Sequence, residues 1–351
     1  MEEGVRPPSP ARPPRSRPLA TALRRGRRVA LAGGLLAGLG GCGHPGGPPR
    51  GAPPLRLGTV AVPTAEERAT GPALEVGVAG DVVVACREDG SLSLVAPSAR
   101  RRIAPPPGER FRHVAAAGRR ALALTSRGLV HAVDLDLGTT RPLAGKTQGT
   151  SRVVVGPDLV AWVGIEGGAL FRVGPDATEV ETAWPSGDEP ISSLAADAGR
   201  VFVAHADGTV EWTPDGGKTR APLLTGVPSV TAMAADADGV ALGDAEGTVR
   251  WTSLPRGSST PGPWTSVQLE APIRAMACLP GHLLVALRSR RLVLLRTPTL
   301  ARAGALDHAE FDVRSLAVAP GGRRVILATS DAAGVRELVV ERDGGAGSSG
   351  R

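Results

Sequence analysis

The sequence contains no tyrosine, only two lysines and only three cysteines among its 351 residues, and aromatic residues make up 3% of it. Three cysteines are too few for a disulfide framework. The longest run without a polar or charged residue, residues 29–41, is too short for a helix that crosses a bilayer. The six histidines are scattered, and none has the spacing of metal ligands. The sequence therefore predicts neither a metal site nor a cofactor.

The N-terminal region has the organisation of an export signal. Residues 1–28 are rich in proline and arginine and end in Arg24-Arg25-Gly26-Arg27-Arg28. The apolar run 29–41 follows and closes on small residues. A basic segment, a short apolar segment and small residues before a break are typical of a secretory signal.

The tetrapeptide Leu39-Gly40-Gly41-Cys42 resembles the lipobox of bacterial lipoproteins. The resemblance implies that residues 1–41 are a lipoprotein signal peptide and that Cys42 becomes the acylated N-terminus, a stable membrane anchor. The implied location is extracytoplasmic: the periplasmic or outer-membrane face in a Gram-negative cell, and the cell surface otherwise. The alternative is a cleaved signal in which Cys42 has no role.

Most of the positive charge of the chain lies in this N-terminal segment. Of the formal net charge of +7, residues 1–41 carry +6, from eight arginines and two glutamates, so the remainder carries about +1. A strongly basic surface is the electrostatic signature of nucleic-acid binding. Without that surface we expect no nucleic-acid partner.

A short unit recurs seven times between residues 74 and 343, with a period of about forty residues. Two clear copies, residues 191–213 and 230–252, each hold three short apolar runs, a Gly/Asp break and a tight turn. This period, with strand-like runs and no helical ones, indicates a β-propeller. We predict an all-β chain with a single β-propeller of seven four-stranded blades.

The last repeat lacks a fourth strand, whereas the apolar segment 55–62 precedes the first repeat without a blade of its own. We predict that this segment completes the last blade and closes the ring, which removes exposed sheet edges. The predicted organisation is a flexible Gly/Pro tether over 42–54, the propeller over 55–343 and a disordered Gly/Ser tail over 344–351.

The turn Thr213-Pro-Asp-Gly-Gly-Lys-Thr219 resembles the Asp-box of sialidase-type repeats, with Arg220 in place of the usual tryptophan. The preceding segment 199–212 is similar to the cores of WD-type and quinoprotein repeats. The resemblance, as a repeat pattern, covers residues 55–343 and implies a propeller of this broad kind. Sialidases use a tyrosine nucleophile. Because the chain has no tyrosine, that activity is excluded.

Basic residues stand just before the predicted innermost strands of several blades, at Arg112, His113, Arg152, Arg274 and Arg314. In a propeller these positions meet around one mouth of the central channel. Converging guanidinium groups favour carboxylates or phosphates, which they pair in a bidentate manner. The alternative is that these arginines only solvate the strand ends.

Together these features predict a monomeric, lipid-anchored scaffold of the cell envelope that binds another envelope protein or an anionic ligand without catalysis. The alternative is a propeller enzyme (a hydrolase, a lyase or a cofactor-dependent dehydrogenase) with its site at the channel mouth. The sequence identifies no catalytic residue for such an enzyme. Two acidic or histidine side chains within about 4 Å of each other at the mouth would favour it.

Overall fold

The computed structural model describes residues 55–60 and 71–342, apart from Ser98, Lys146, Gln148, Thr150, Ser151, Ser186, Asp188 and Ala309. These residues form seven four-stranded antiparallel sheets in a ring and belong to one compact unit, Pro49–Arg351. The protein is a seven-bladed β-propeller, which confirms the prediction from the repeats. The predicted signal peptide (1–41), tether (42–54) and tail (344–351) lie outside the described residues.

Each blade runs from an innermost first strand to an outer fourth strand. The first strands of blades 1 to 7 are β2 (Ala73–Ala79), β6 (Phe111–Ala117), β10 (Arg152–Val155), β14 (Ile191–Asp197), β18 (Val230–Ala235), β22 (Ile273–Leu279) and β26 (Val313–Val318). The second strands are β3 (Val82–Arg87), β7 (Arg120–Thr125), β11 (Ala161–Gly164), β15 (Arg200–His205), β19 (Gly239–Asp244), β23 (His282–Leu287) and β27 (Arg324–Thr329).

The outer half of each blade is made in the same way. The third strands are β4 (Leu92–Val95), β8 (Val130–Asp134), β12 (Leu170–Val173), β16 (Val210–Thr213), β20 (Thr248–Ser253), β24 (Arg291–Arg296) and β28 (Val335–Arg342). The fourth strands of blades 1 to 6 are β5 (Arg100–Ile103), β9 (Thr139–Pro142), β13 (Glu181–Trp184), β17 (Ala221–Leu224), β21 (Trp264–Gln268) and β25 (Ala301–Asp307).

The fourth strand of blade 7 is β1 (Leu55–Val60), from the opposite end of the chain. It pairs antiparallel with β28, so that Leu55 lies opposite Arg342. Leu55 is 7% exposed and packs into the core between blades 6 and 7. The predicted closure of the ring is therefore confirmed. The last two residues of the predicted strand, 61 and 62, lie outside the described residues.

The hydrophobic core is divided into seven clusters, one between each pair of neighbouring blades, among the residues that the structure describes. Alternate residues of each strand point to one or the other neighbouring blade, because side chains alternate across a sheet. Large side chains fill the spaces towards the rim, where Trp162, Trp212 and Trp251 are each at most 2% exposed. A fully buried side chain of this size contributes about 1.5–3 kcal/mol.

The first strands of blades 1 and 2 approach each other so closely at one level that no side chain fits between them. A Cβ atom on Gly77 in blade 1 would lie 2.7 Å from the backbone nitrogen of Ala116 in blade 2. It would also lie 2.8 Å from the Cβ of Ala116. Both neighbours are parts of the backbone scaffold that cannot rotate away, so this position requires glycine.

The Asp-box turn in blade 4 is stabilised by hydrogen bonds to the side chain of its aspartate. The Asp215 carboxylate accepts a hydrogen bond of 2.8 Å from the Thr213 hydroxyl and bonds of 3.0 and 2.8 Å from the backbone nitrogens of Lys218 and Thr219. The repeat pattern makes residues 219–224 a candidate for the fourth strand of this blade. Because Thr219 belongs to the turn, β17 instead begins at Ala221.

The repeat pattern makes residues 140–144 the candidate for the fourth strand of blade 2, and here too the strand differs. It occupies Thr139–Pro142, and Ala144 instead makes an isolated bridge with Glu179 of blade 3. The backbone of Ala144 is thus engaged by the neighbouring blade rather than by its own sheet.

We expect Gly77→Ala to lower the free energy of unfolding by about 1–3 kcal/mol, because the added methyl group forces two first strands apart. The matched control is Gly304→Ala in β25, where a Cβ would meet nothing within 4 Å. That substitution should be neutral or stabilising by up to about 1 kcal/mol. Urea unfolding of both variants measures the difference, and equal effects would contradict the crowding of the axis.

Candidate functional site

The seven first strands enclose a central channel with a cavity volume of about 1210 Å³. All seven strands begin at one end of the channel, which also carries the turns between second and third strands because neighbouring strands are antiparallel. We call this the mouth end. The opposite end, where the turns between first and second strands lie, is the far end.

The structure brings all five basic residues predicted for the channel mouth together in the lining of this cavity: Arg112, His113, Arg152, Arg274 and Arg314. The lining also contains Arg288, which the sequence analysis missed because it follows a second strand rather than preceding a first one. We call Arg112, Arg152, Arg274, Arg288 and Arg314 the arginine mouth.

A β-bulge places three of these arginines. In blades 2, 6 and 7 the pairing of the first strand shifts at its second residue, which leaves Arg112, Arg274 and Arg314 without a partner in the ladder. A bulge redirects the side chain of its extra residue, here into the channel. The corresponding bulges of blades 4 and 5 carry Ser192 and Thr231.

Arg152 occupies a different register. It pairs with Gly164 in β11, one position further along the first strand than the bulged arginines and level with His113 of blade 2. It also interacts with a neighbouring group. The arginine mouth is thus built on two levels, which sequence position alone does not reveal.

The arginines differ in whether an acidic group already pairs with them. Arg314 forms an ion pair of 2.5 Å with Glu88 of blade 1. Within the part of the chain that the structure describes, the guanidinium groups of Arg112, Arg274 and Arg288 make no hydrogen bond or ion pair. Five arginines and two glutamates line the cavity, which leaves a net charge of +3 with His113 neutral.

One acid–histidine pair lies in the cavity wall. His113 Nδ1 is 3.3 Å from Glu75 Oε2, and the two side chains are 19% and 22% exposed. Glu75 Oε2 also accepts a hydrogen bond of 2.7 Å from the backbone nitrogen of Val114. Glu75 is the second lining residue that the sequence analysis missed, because it forms its pair across two blades.

At the far end of blades 4 and 5, two arginines share one buried carboxylate. The buried Asp197 carboxylate accepts hydrogen bonds of 2.7 Å from both Arg200 and Arg256. Burial favours the protonated acid, yet the bonds from Arg256 and Arg200 hold the pKa of Asp197 below its usual value. This network joins blades 4 and 5 and has no equivalent at the arginine mouth among the described residues.

The two described cysteines are free, Cys86 in blade 1 and Cys278 in blade 6. Burial, with a smaller contribution from Glu75, raises the pKa of the Cys86 thiol to about 12. Burial and the nearby Asp236 carboxylate raise the pKa of Cys278 well above its usual value. Both thiols are therefore protonated at neutral pH and weak nucleophiles.

The described residues hold no group of three or more His, Cys, Asp or Glu side chains that could bind a metal ion. They also include no helix with the length and hydropathy needed to cross a membrane. No protein-family model matches the chain, and no curated protein does. The geometry of the channel is consequently the basis for a functional assignment.

Proposed function

We propose that this protein is a lipid-anchored, extracytoplasmic β-propeller of the cell envelope that binds an anionic ligand or an acidic protein segment at its arginine mouth, without catalysis. The observation that carries the proposal is the uncompensated charge of Arg112, Arg274 and Arg288. Three cations that converge on a concave surface repel one another, and an anion that binds between them removes this repulsion.

The residue type favours a specific contact over general attraction. A guanidinium group presents a rigid fork of donors that matches the two oxygens of a carboxylate or phosphate. Arg274 is half-buried, which limits the screening of its charge by solvent. The alternative from the sequence, that these arginines only solvate the strand ends, fits the exposed Arg112 and Arg288 better than the half-buried Arg274.

The anchor in this proposal rests on the sequence. The Leu39-Gly40-Gly41-Cys42 tetrapeptide and the basic segment before it support acylation of Cys42 after export. The turn at Asp215, with the hydrogen bonds expected of an Asp-box, supports a relationship to propellers of the broad WD, quinoprotein and Asp-box kind.

We expect the double variant Arg112→Glu/Arg274→Glu to lose at least about tenfold in affinity for an anion, because each reversal replaces attraction by repulsion. The probes are citrate, pyrophosphate and a fluorescein-labelled octaglutamate, measured by calorimetry or anisotropy with the full chain in detergent at low salt.

The matched control is Arg119→Glu/Arg323→Glu, which changes the net charge equally but at exposed turns of the far end. This variant should bind each probe within about twofold of the wild type. An equal loss in both variants, or no binding of any probe by the wild type, would contradict an anion site at the mouth.

We expect Cys42→Ser to abolish incorporation of labelled palmitate and to release the protein from the membrane fraction, because the substitution removes the thiol that accepts the acyl chains. Cys86→Ser serves as the control, since Cys86 is buried inside blade 1. Labelling that persists in the Cys42→Ser variant would rule out this anchor.

A second candidate function is favoured by the 3.3 Å contact between His113 and Glu75. A carboxylate that orients an imidazole is a common arrangement for a general base, and Arg112 and Arg152 could hold an anionic substrate beside it. The candidate is thus an acid–base enzyme, a hydrolase or a lyase, that acts on an anionic substrate.

The variant Glu75→Gln separates the two functions. It removes the carboxylate that orients His113 but keeps every arginine, so that a binding protein should retain its affinity for the probes. If the protein is an enzyme, turnover of an anionic ester or uronate should instead fall by about 10²–10⁴-fold, while Glu181→Gln, on the outer strand of blade 3, should have little effect.

A further inference from the structure

We propose that Arg274 and Arg288 of blade 6 are the main anchoring site of the arginine mouth, and that their ligand is a carboxylate-rich segment of a protein partner that enters from the mouth end. The proposal rests on the proposed function and names its ligand class and its site.

Blade 6 is the only blade whose described residues contribute two arginines to the cavity lining. Arg274 is the bulged residue of β22, at the point where Ile273 pairs with Leu287. Arg288 directly follows Leu287, and its backbone nitrogen donates a hydrogen bond of 3.0 Å to the carbonyl of Pro272. Both guanidinium groups therefore start from one fixed corner of the sheet.

No acidic residue lies beside this pair in the cavity lining. Among the described residues, blades 5, 6 and 7 contribute no Asp or Glu to the channel wall. The acids near the rim of blade 6, Glu270 and Asp307, each form an ion pair of 2.8 Å with Arg291. By contrast, Arg314 already has Glu88 as its partner. Blade 6 thus carries two arginines of the mouth without an acidic partner, whereas blade 2 carries one, Arg112.

The rest of the cavity fits a peptide better than a small ion. Its volume of about 1210 Å³ is above the range of about 300–1,000 Å³ typical of small-ligand sites, so that one phosphate would fill a minor part. Blade 5, which adjoins blade 6, and blade 4 beyond it line the channel with Ser192, Ser193 and Thr231. The hydroxyl groups of these residues can form hydrogen bonds with a peptide backbone.

The test measures the binding of fluorescein-labelled octaglutamate to the full chain in detergent. We expect Arg274→Gln/Arg288→Gln to weaken binding by at least about 30-fold, and the far-end control Arg119→Gln/Arg323→Gln to stay within about twofold. The conservative Arg274→Lys/Arg288→Lys variant keeps the charge but loses the fork, so an intermediate loss is expected. Octaglutamine should not bind.

The outcomes distinguish this proposal from the wider one. If octaglutamate binding depends on Arg112 but not on Arg274 and Arg288, the blade 6 anchor is wrong while anion binding at the mouth stands. If pyrophosphate binds and octaglutamate does not, the peptide ligand is overturned but the proposed function is not. If no anionic probe binds, both are overturned.

Discussion

Close contact between the first strands of neighbouring blades is the constraint on which the rest of this propeller depends. At Gly77 and Ala116 the two backbones approach so closely that even one methyl group does not fit between them. Large side chains are consequently displaced either outwards, where the tryptophans fill the spaces between blades, or to the ends of the channel. The bulge near the start of the first strand in six of the seven blades provides such an end position, because it frees a residue from the ladder.

The two ends of the channel use arginine in different ways. At the far end, Arg200 and Arg256 surround the buried Asp197 and join two blades, which is a structural role for a buried ion pair. At the mouth end, Arg274 has no such partner although it is half-buried. A chain that needed arginine only for solubility or blade contacts would pair it, as it does at Asp197, or leave it on the exposed rim. This unpaired arrangement is the observation on which the proposed anion site rests.

The sequence predicts the fold well because the propeller repeats its signals seven times. Turn residues such as Asp207 and Gly208 recur at a fixed distance from the apolar runs, so that one degenerate copy, such as the turn at Arg290, does not hide the pattern. The site was harder to predict. Arg288 lies just after a second strand, and Glu75 contacts His113 and Val114 of the neighbouring blade. Proximity across strands and blades of this kind leaves no periodic trace in the sequence.

The mouth is also where the sevenfold repeat is least regular. The second residue of the first strand is Leu74, Arg112, Ser192, Thr231, Arg274 and Arg314 in six of the blades, whereas the second strands behind it are mostly apolar. Apart from Leu74, which packs against the core between blades 1 and 2, these bulged residues belong to no core cluster, so packing does not restrict their identity. The asymmetry it creates places cations on blades 2, 6 and 7 and hydroxyl groups on blades 4 and 5. Under the proposal above, this asymmetry would orient a bound ligand, with its negative charge towards blade 6, which a sevenfold-symmetric scaffold alone could not do.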